Sequence, residues 1–346
     1  MKQSVMPPPD LSRRRGVLGF GDINTGENRP MPKLIARVAA VLAAMLSGCL
    51  AARADSITVT HYGSAFYGAP YAVAMAKGFF KQHGVDITGI LTSAGGGTSV
   101  RNMLASDLPF GEVATSAAIA AINHGEPLKI LFGGVDTIDD IVWIAKKGSP
   151  LHSFQDIRGK RVGFTSPGSA TNMIILMALK NQNLTTSDVH LVAAGDIGAN
   201  LSAVLNGAID TGMTGEPVWS ENADKLQIVF RSCDVVPCNM MQSVGVTTDA
   251  YLATPEGKKT LAAITAGRRE GVQFIYAHPD DAADIVAKAY SGDPGLYRRV
   301  FANFVKIHYW TEGTIDVDGL RIMGQQKGPV DWPKLIDAEF LPKQTN

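Results

Sequence analysis

Two short stretches of the chain carry the residue types best suited to holding a small molecule. The first, Thr92-Ser93-Ala94-Gly95-Gly96-Gly97-Thr98-Ser99, follows the apolar run 87–91, and the second, Thr165-Ser166-Pro167-Gly168-Ser169-Ala170-Thr171-Asn172, follows 161–164. Each reads as a strand, a small-residue loop and a helix start. The first turn of a helix has free backbone N–H groups and a partial positive charge. Glycine lets a ligand approach the backbone, and Ser and Thr hydroxyls add donors and acceptors. Two such loops facing each other would make a polar clamp for an anionic or zwitterionic molecule. Ordinary capping and turn chemistry accounts for one such loop alone. The doubling, with no competing catalytic signature, points to ligand binding.

The catalytic patterns were sought one by one. Thr165-Ser166-Pro167-Gly168-Ser169 lacks the first glycine of a nucleophile elbow. There is no H-E-x-x-H, no Cys/His cluster at zinc spacing and no phosphate-binding G-K-[ST] loop, and Gly95-Gly96-Gly97 is no dinucleotide fingerprint. No cofactor, no metal and no enzymatic activity are expected. With 32 basic and 32 acidic residues in 346, there is no basic field to attract nucleic acid. Several single residues keep two readings. Tyr62, Phe66 and Tyr67 either stack on a ligand or pack at a strand mouth. His61 either touches ligand or is a structural histidine. Glu112 and Glu216 either bind an amine or serve locally, Glu216 as a first-turn helix acid beside Pro217. Trp219 is either a cleft wall or core.

These residues must be positioned by elements that alternate. Ser56-Ile57-Thr58-Val59-Thr60 has period two, and strands also read at 85–91, 111–114, 128–132 and 141–145. Helical patterns cover 71–82, 100–105 and 116–123. A second set follows, with strands at 161–164, 190–193, 208–213 and 228–230, and helices at 170–181, 199–205 and from about 216. Residues 242–247 read as a return strand, and 255–304 as helical, with Pro279 and Pro294 in first turns. Such alternation predicts an α/β fold of mainly parallel sheets flanked by helices. The chain leaves one lobe near 145 and returns near 245. The expected organisation is therefore 1–54 as an upstream extension with a signal segment, 55–145 and 245–346 as one lobe, and 146–244 as the other, with a double crossover hinge between them.

The N-terminal region reads as an export signal. Lys33 and Arg37 precede the apolar run 38–46, which is short for a membrane span. Leu46-Ser47-Gly48-Cys49 fits a lipobox at all four positions, with Cys49 the lipidated residue, and Ala52-Arg53-Ala54 offers an alternative cleavage site. Residues 1–30 do not fit a signal, and a start at Met31 would account for them. Without residues 1–48 the chain has a net charge of −4. Cys233 and Cys238, five apart, then suit a disulfide in an exported protein, whereas a metal site would need further ligands nearby.

Taken together the motifs resemble the nitrate/sulfonate/taurine branch of the substrate-binding proteins of ABC transporters. The resemblance is carried by Ala74-Met75-Ala76-Lys77-Gly78-Phe79-Phe80-Lys81-Gln82-His83-Gly84-Val85-Asp86, Gly125-Glu126-Pro127-Leu128-Lys129 and Phe154-Gln155-Asp156-Ile157-Arg158-Gly159-Lys160-Arg161-Val162-Gly163. It continues through Ser166-Pro167-Gly168-Ser169-Ala170-Thr171, Leu205-Asn206-Gly207-Ala208-Ile209-Asp210 and Glu216-Pro217. It implies a two-lobed type II periplasmic-binding-protein fold that closes on a small solute and delivers it to a permease in the inner membrane. The implied ligand-binding residues are Ser64, Phe66 and Tyr67, then Gly96, Gly97 and Thr98, then Thr115 and Ser116. In the second lobe they are Ser166, Gly168, Ser169 and Thr171, with Glu216 nearby. The expected protein is a monomer, periplasmic or held at the cell surface by lipid. Strong anion binders of this kind often use a cation on the ligand, and these loops offer only Arg101. An exported sensor domain, or an enzyme of the thiamine-pyrimidine-precursor type, are the alternatives. The cysteine-rich segment of that enzyme is missing here.

Overall fold

The computed structural model describes residues 55–93, 95–324 and 331–342. The signal segment, Cys49 and its lipobox, and Ala94 lie outside the described residues. No described helix is long and apolar enough to cross a membrane.

The first sheet begins with β1 (Asp55–Val59), β2 (Ile87–Leu91), β3 (Phe110–Ala114) and β4 (Leu128–Val135). The chain then crosses to β5 (Val142–Lys146), β6 (Arg161–Phe164), β7 (His190–Ala193), β8 (Gly212–Thr214) and β9 (Leu226–Arg231), and returns as β10 (Ser243–Thr248). The first sheet has the order β2-β1-β3-β10-β4, and the others are β8-β5-β9 and β6-β7. Pairing is parallel for β1 with β2 and β3, and for β6 with β7. Two strands break the expected parallel rule. β10 runs antiparallel to β3 and β4, and β5 runs antiparallel to β8 and β9. Both are the first strand after a crossing between sheets. A helical crossover returns the chain to the same end of a sheet, but a direct crossing carries no such constraint. The sheets are therefore mixed.

Ten helices position the loops. They are α1 (Ala69–Lys77), α2 (Phe79–Gln82), α3 (Gly96–Leu104), α4 (Thr115–Asn123), α5 (Ala170–Asn181), α6 (Ile197–Asn206), α7 (Val218–Glu221), α8 (Pro255–Ala277), α9 (Pro279–Tyr290) and α10 (Pro294–Lys306). The single helix read over 71–82 is two, because Gly78 adopts φ 75° and ends α1 with a left-handed cap. The block 255–304 is three helices, each with proline in its first turn. The strand read over 208–213 shortens to β8, since Asp210 is turned back to accept from Arg161 N and Nε.

Each sheet group has its own core. Ile57, Phe66, Tyr71, Phe301 and Trp310 belong to one apolar cluster, and Trp143, Ile174, Phe230 and Met240 to another. A buried ion pair ties α8 to the first sheet: Arg268 Nε donates to Glu112 Oε2 at 2.7 Å, and both side chains are essentially inaccessible. Tyr71 Oη and Ser243 Oγ also donate to Glu112, while Arg268 reaches the carbonyls of Thr311 and Gly134. Every charge-bearing atom is thus hydrogen-bonded, the condition under which a buried pair is tolerated.

Candidate functional site

The loops that follow the strands of both groups meet in a cleft. Its outer part, about 810 Å³, is lined by Gly97, Thr98 and Arg101 on one side and by Ser166, Gly168 and Asp196 on the other. It shares Thr165 and Ser169 with an inner pocket of about 40 Å³, which His61, Tyr67, Gly96, Thr171, Thr214 and Gln242 also line. The two small-residue loops are close. A Cβ on Gly95 would stand 3.7 Å from Ser166 Oγ. The starts of α3, α5 and α6 lie on this cleft, so three positive helix ends point toward it.

Local bonding fixes these loops. Ser169 caps α5 by accepting from Asn172 N at 3.2 Å, and Asp196 caps α6 by accepting from Ala199 N at 2.7 Å. Thr171 Oγ1 accepts from Thr165 N at 3.0 Å and also meets Thr165 Oγ1 and Ser169 Oγ at 2.9 and 3.1 Å. Gly96 sits where a Cβ would be 2.8 Å from Ala114 Cβ and 2.9 Å from Ala117 Cβ, so only glycine lets α3 approach α4 this closely.

His61 is the most unusual residue of the inner pocket. It holds φ 56°, a left-handed conformation that is costly for a non-glycine residue and is found at functional sites. Burial pushes its imidazole down to about 4, partly offset by Asp196 across the cleft. Its Nδ1 and the Thr214 Oγ1 are both shut off from solvent, and among the described residues neither has a hydrogen-bond partner. Behind them runs a polar chain. Tyr67 Oη donates to Gln242 Oε1 at 2.5 Å, Gln242 Nε2 donates to Asp140 Oδ1 at 2.5 Å and to the Thr137 carbonyl, and Tyr309 Oη donates to Asp140 Oδ2 at 2.9 Å. Burial raises the Asp140 carboxyl to about 6, although the bonds from Tyr309 and Gln242 oppose this. Asp140 and Gln242 belong to the two crossings, so their bond joins the outgoing chain to the returning one. None of the described residues lining the inner pocket is Lys or Arg.

The candidates drawn from sequence divide as follows. Tyr67, Gly96, Ser169 and Thr171 line the inner pocket, and Gly97, Thr98, Ser166 and Gly168 the outer cleft. Thr115 and Ser116 are fully buried at the start of α4, with hydroxyls lacking partners among the described residues. Three stand elsewhere. Phe66 is 1% exposed and ringed by Tyr297, Phe301 and Phe304, so it is core. Ser64 Oγ turns back to the His61 carbonyl. Glu216 lies in a separate chamber, where it accepts from Ser220 N and Oγ. Asp140, Thr214 and Gln242 had not been singled out, since they flank crossings or end a three-residue strand. Cys233 and Cys238 are bonded to each other, with Cα atoms 4.7 Å apart. Asp139 lies within 4.8 Å of both sulfurs, but a disulfide offers no thiolates to a metal.

The mixed sheets and the cleft between them define the α/β fold of periplasmic solute-binding proteins of ABC-type import systems. Within that class the chain belongs to the family described as NMT1/THI5 like, whose profile matches residues 65–282. It is similar to the riboflavin-binding protein RibY of Chloroflexus aurantiacus, at 23% identity over 79% of this chain and 82% of that one. It is also similar to a protein of Aspergillus parasiticus named 4-amino-5-hydroxymethyl-2-methylpyrimidine phosphate synthase, at 24% identity over 84% and 86%. The periplasmic aliphatic sulphonate binding protein SsuA of Escherichia coli superposes with a TM-score of 0.65 over 82% of this chain and 97% of that one, at 14% identity.

Proposed function

We propose that this protein is the solute-binding receptor of an ABC importer, exported to the periplasm and working with an inner-membrane permease. In this reading 55–145 with 245–346 form one lobe and 146–244 the other. The lobes close about the paired crossings on a small solute. Cys49 carries the lipid that holds the protein at the membrane.

One observation carries the reading. Two polar atoms from opposite walls, His61 Nδ1 and Thr214 Oγ1, are buried against the same pocket without protein partners. A buried polar atom left unpaired is costly, and a ligand that pairs with both from the closed cleft would recover that cost. Only such differential contacts can favour closure. A pocket of about 40 Å³ admits one polar group, so the solute's head enters there and its body lies in the outer cleft. With helix starts but no cationic side chain around the inner pocket, a neutral or zwitterionic solute with acceptor atoms suits it better than a fully ionised anion. The relatives named for riboflavin and for a pyrimidine make heterocycles the first compounds to try.

The test is a thermal-shift screen of the mature chain against pyrimidines, riboflavin, sulfonates and small carboxylates, because a ligand of the native state raises Tm. A neutral or zwitterionic compound that raises Tm, is recovered unchanged, and loses affinity in Thr214→Val supports the proposal. A compound recovered as a new product identifies an enzyme and overturns it, as does a ligand indifferent to Thr214→Val.

A further inference from the structure

A second chamber, of about 430 Å³, lies on the far side of Asp140 from the outer cleft. Its walls come from the outgoing crossing, the turn from β8 into α7, the end of β9 and the C-terminal half of α10. Four charged side chains line it. Glu216 and Asp139 are half-buried, while Arg231 and Lys306 are exposed. Among the described residues none of the four is in an ion pair, although opposite charges share the chamber. Glu216 is held in place by two bonds from Ser220, at 3.2 Å from N and 2.8 Å from Oγ. Between the charged groups stand two apolar surfaces, the Trp219 indole and the buried Phe304 ring.

We propose that this chamber is a second ligand site, and that its ligand is a small zwitterion on an apolar body, of the kind an aromatic or branched α-amino acid presents. The anionic end would meet Arg231 and Lys306, the ammonium would meet Glu216 and Asp139, and the body would lie on Trp219 and Phe304. A guanidinium and an ammonium both favour a carboxylate, and a desolvated indole face favours apolar or cationic contact. A guest with one charge would satisfy one pair and leave the other facing it. The site differs from the inner pocket, which has no cationic side chain, and the two proposals fail independently.

The experiment is titration calorimetry of the mature chain with L-phenylalanine, 3-phenylpropanoate and 2-phenylethylamine, repeated on Arg231→Met, Lys306→Met and Thr214→Val. The expected result is that L-phenylalanine binds about ten-fold or more tighter than either singly charged analogue. That binding should fall about ten-fold or more in both the arginine and lysine variants, and persist in Thr214→Val. Circular dichroism and Tm confirm that the variants fold. The proposal is overturned if L-phenylalanine does not bind, if an analogue matches it, if folded Arg231→Met and Lys306→Met bind it unchanged, or if Thr214→Val abolishes binding and so places it in the inner pocket.

Discussion

At the scale of single residues, the site depends on hydroxyls with different duties. Thr214 Oγ1 has no structural bond to lose, so Thr214→Val should leave stability nearly unchanged and weaken solute binding by about 1 kcal/mol, one neutral hydrogen bond. Ser169 Oγ caps α5, so Ser169→Ala should weaken binding and also lower folding stability by about 1 kcal/mol. Paired calorimetry and urea unfolding separate the two, and equal stability losses in both variants would refute the division. His61 and Asp140 should pull the pH profile in opposite directions. The His61 imidazole falls from 6.5 to about 4 in the fold, so the unfolded chain takes up a proton that the folded one refuses. Its contribution is lost as pH drops from 6.5 toward 4. The Asp140 carboxyl rises from 3.8 to about 6, so its contribution is present below 3.8 and lost as pH rises through 6. His61→Asn, which tolerates the left-handed backbone, should lose less stability than wild type between pH 6.5 and 4, and Asp140→Asn should lose more. Parallel unfolding profiles for all three proteins would contradict these assignments. The hydroxyl-rich loops were legible because composition alone betrays them. Thr214, Gln242 and Asp140 were not, because their role exists only where crossings and strand ends meet. Glu216 misled because chain proximity to Thr214 placed it by the clamp, whereas its side chain turns into the other chamber.

Among elements, the approach of α3 to α4 sets the shape of the cleft. Gly96→Ala would put a methyl 2.8 Å from Ala114 Cβ, and flexible side-chain ends are not what it meets. The helix must shift, at about 1–3 kcal/mol, the usual cost of overpacking. Urea unfolding should show that loss together with weaker solute binding, and an unchanged midpoint would show that the helices have room. Strand and helix positions were legible from period and proline placement. α5 begins and ends where the pattern put it, at Ala170 and Asn181. Direction was not legible, because an apolar run reads the same parallel or antiparallel. β5 and β10 took the antiparallel course since each arrives by a crossing. The break at Gly78 was hidden because the apolar spacing continues through it.

For the molecule as a whole, the alternation of strands and helices, with a departure near 145 and a return near 245, anticipated two sheet groups with separate cores. What sequence could not supply was how the groups meet, and the polar chain Tyr67–Gln242–Asp140–Tyr309 at that meeting is the feature most specific to this fold. The most direct test of the account is a crystal structure of the mature chain with a solute found by thermal shift. The account predicts solute atoms within about 3 Å of both His61 Nδ1 and Thr214 Oγ1, with its body between loops 95–98 and 166–171. A solute bound elsewhere, with those two atoms still unpartnered, would contradict it.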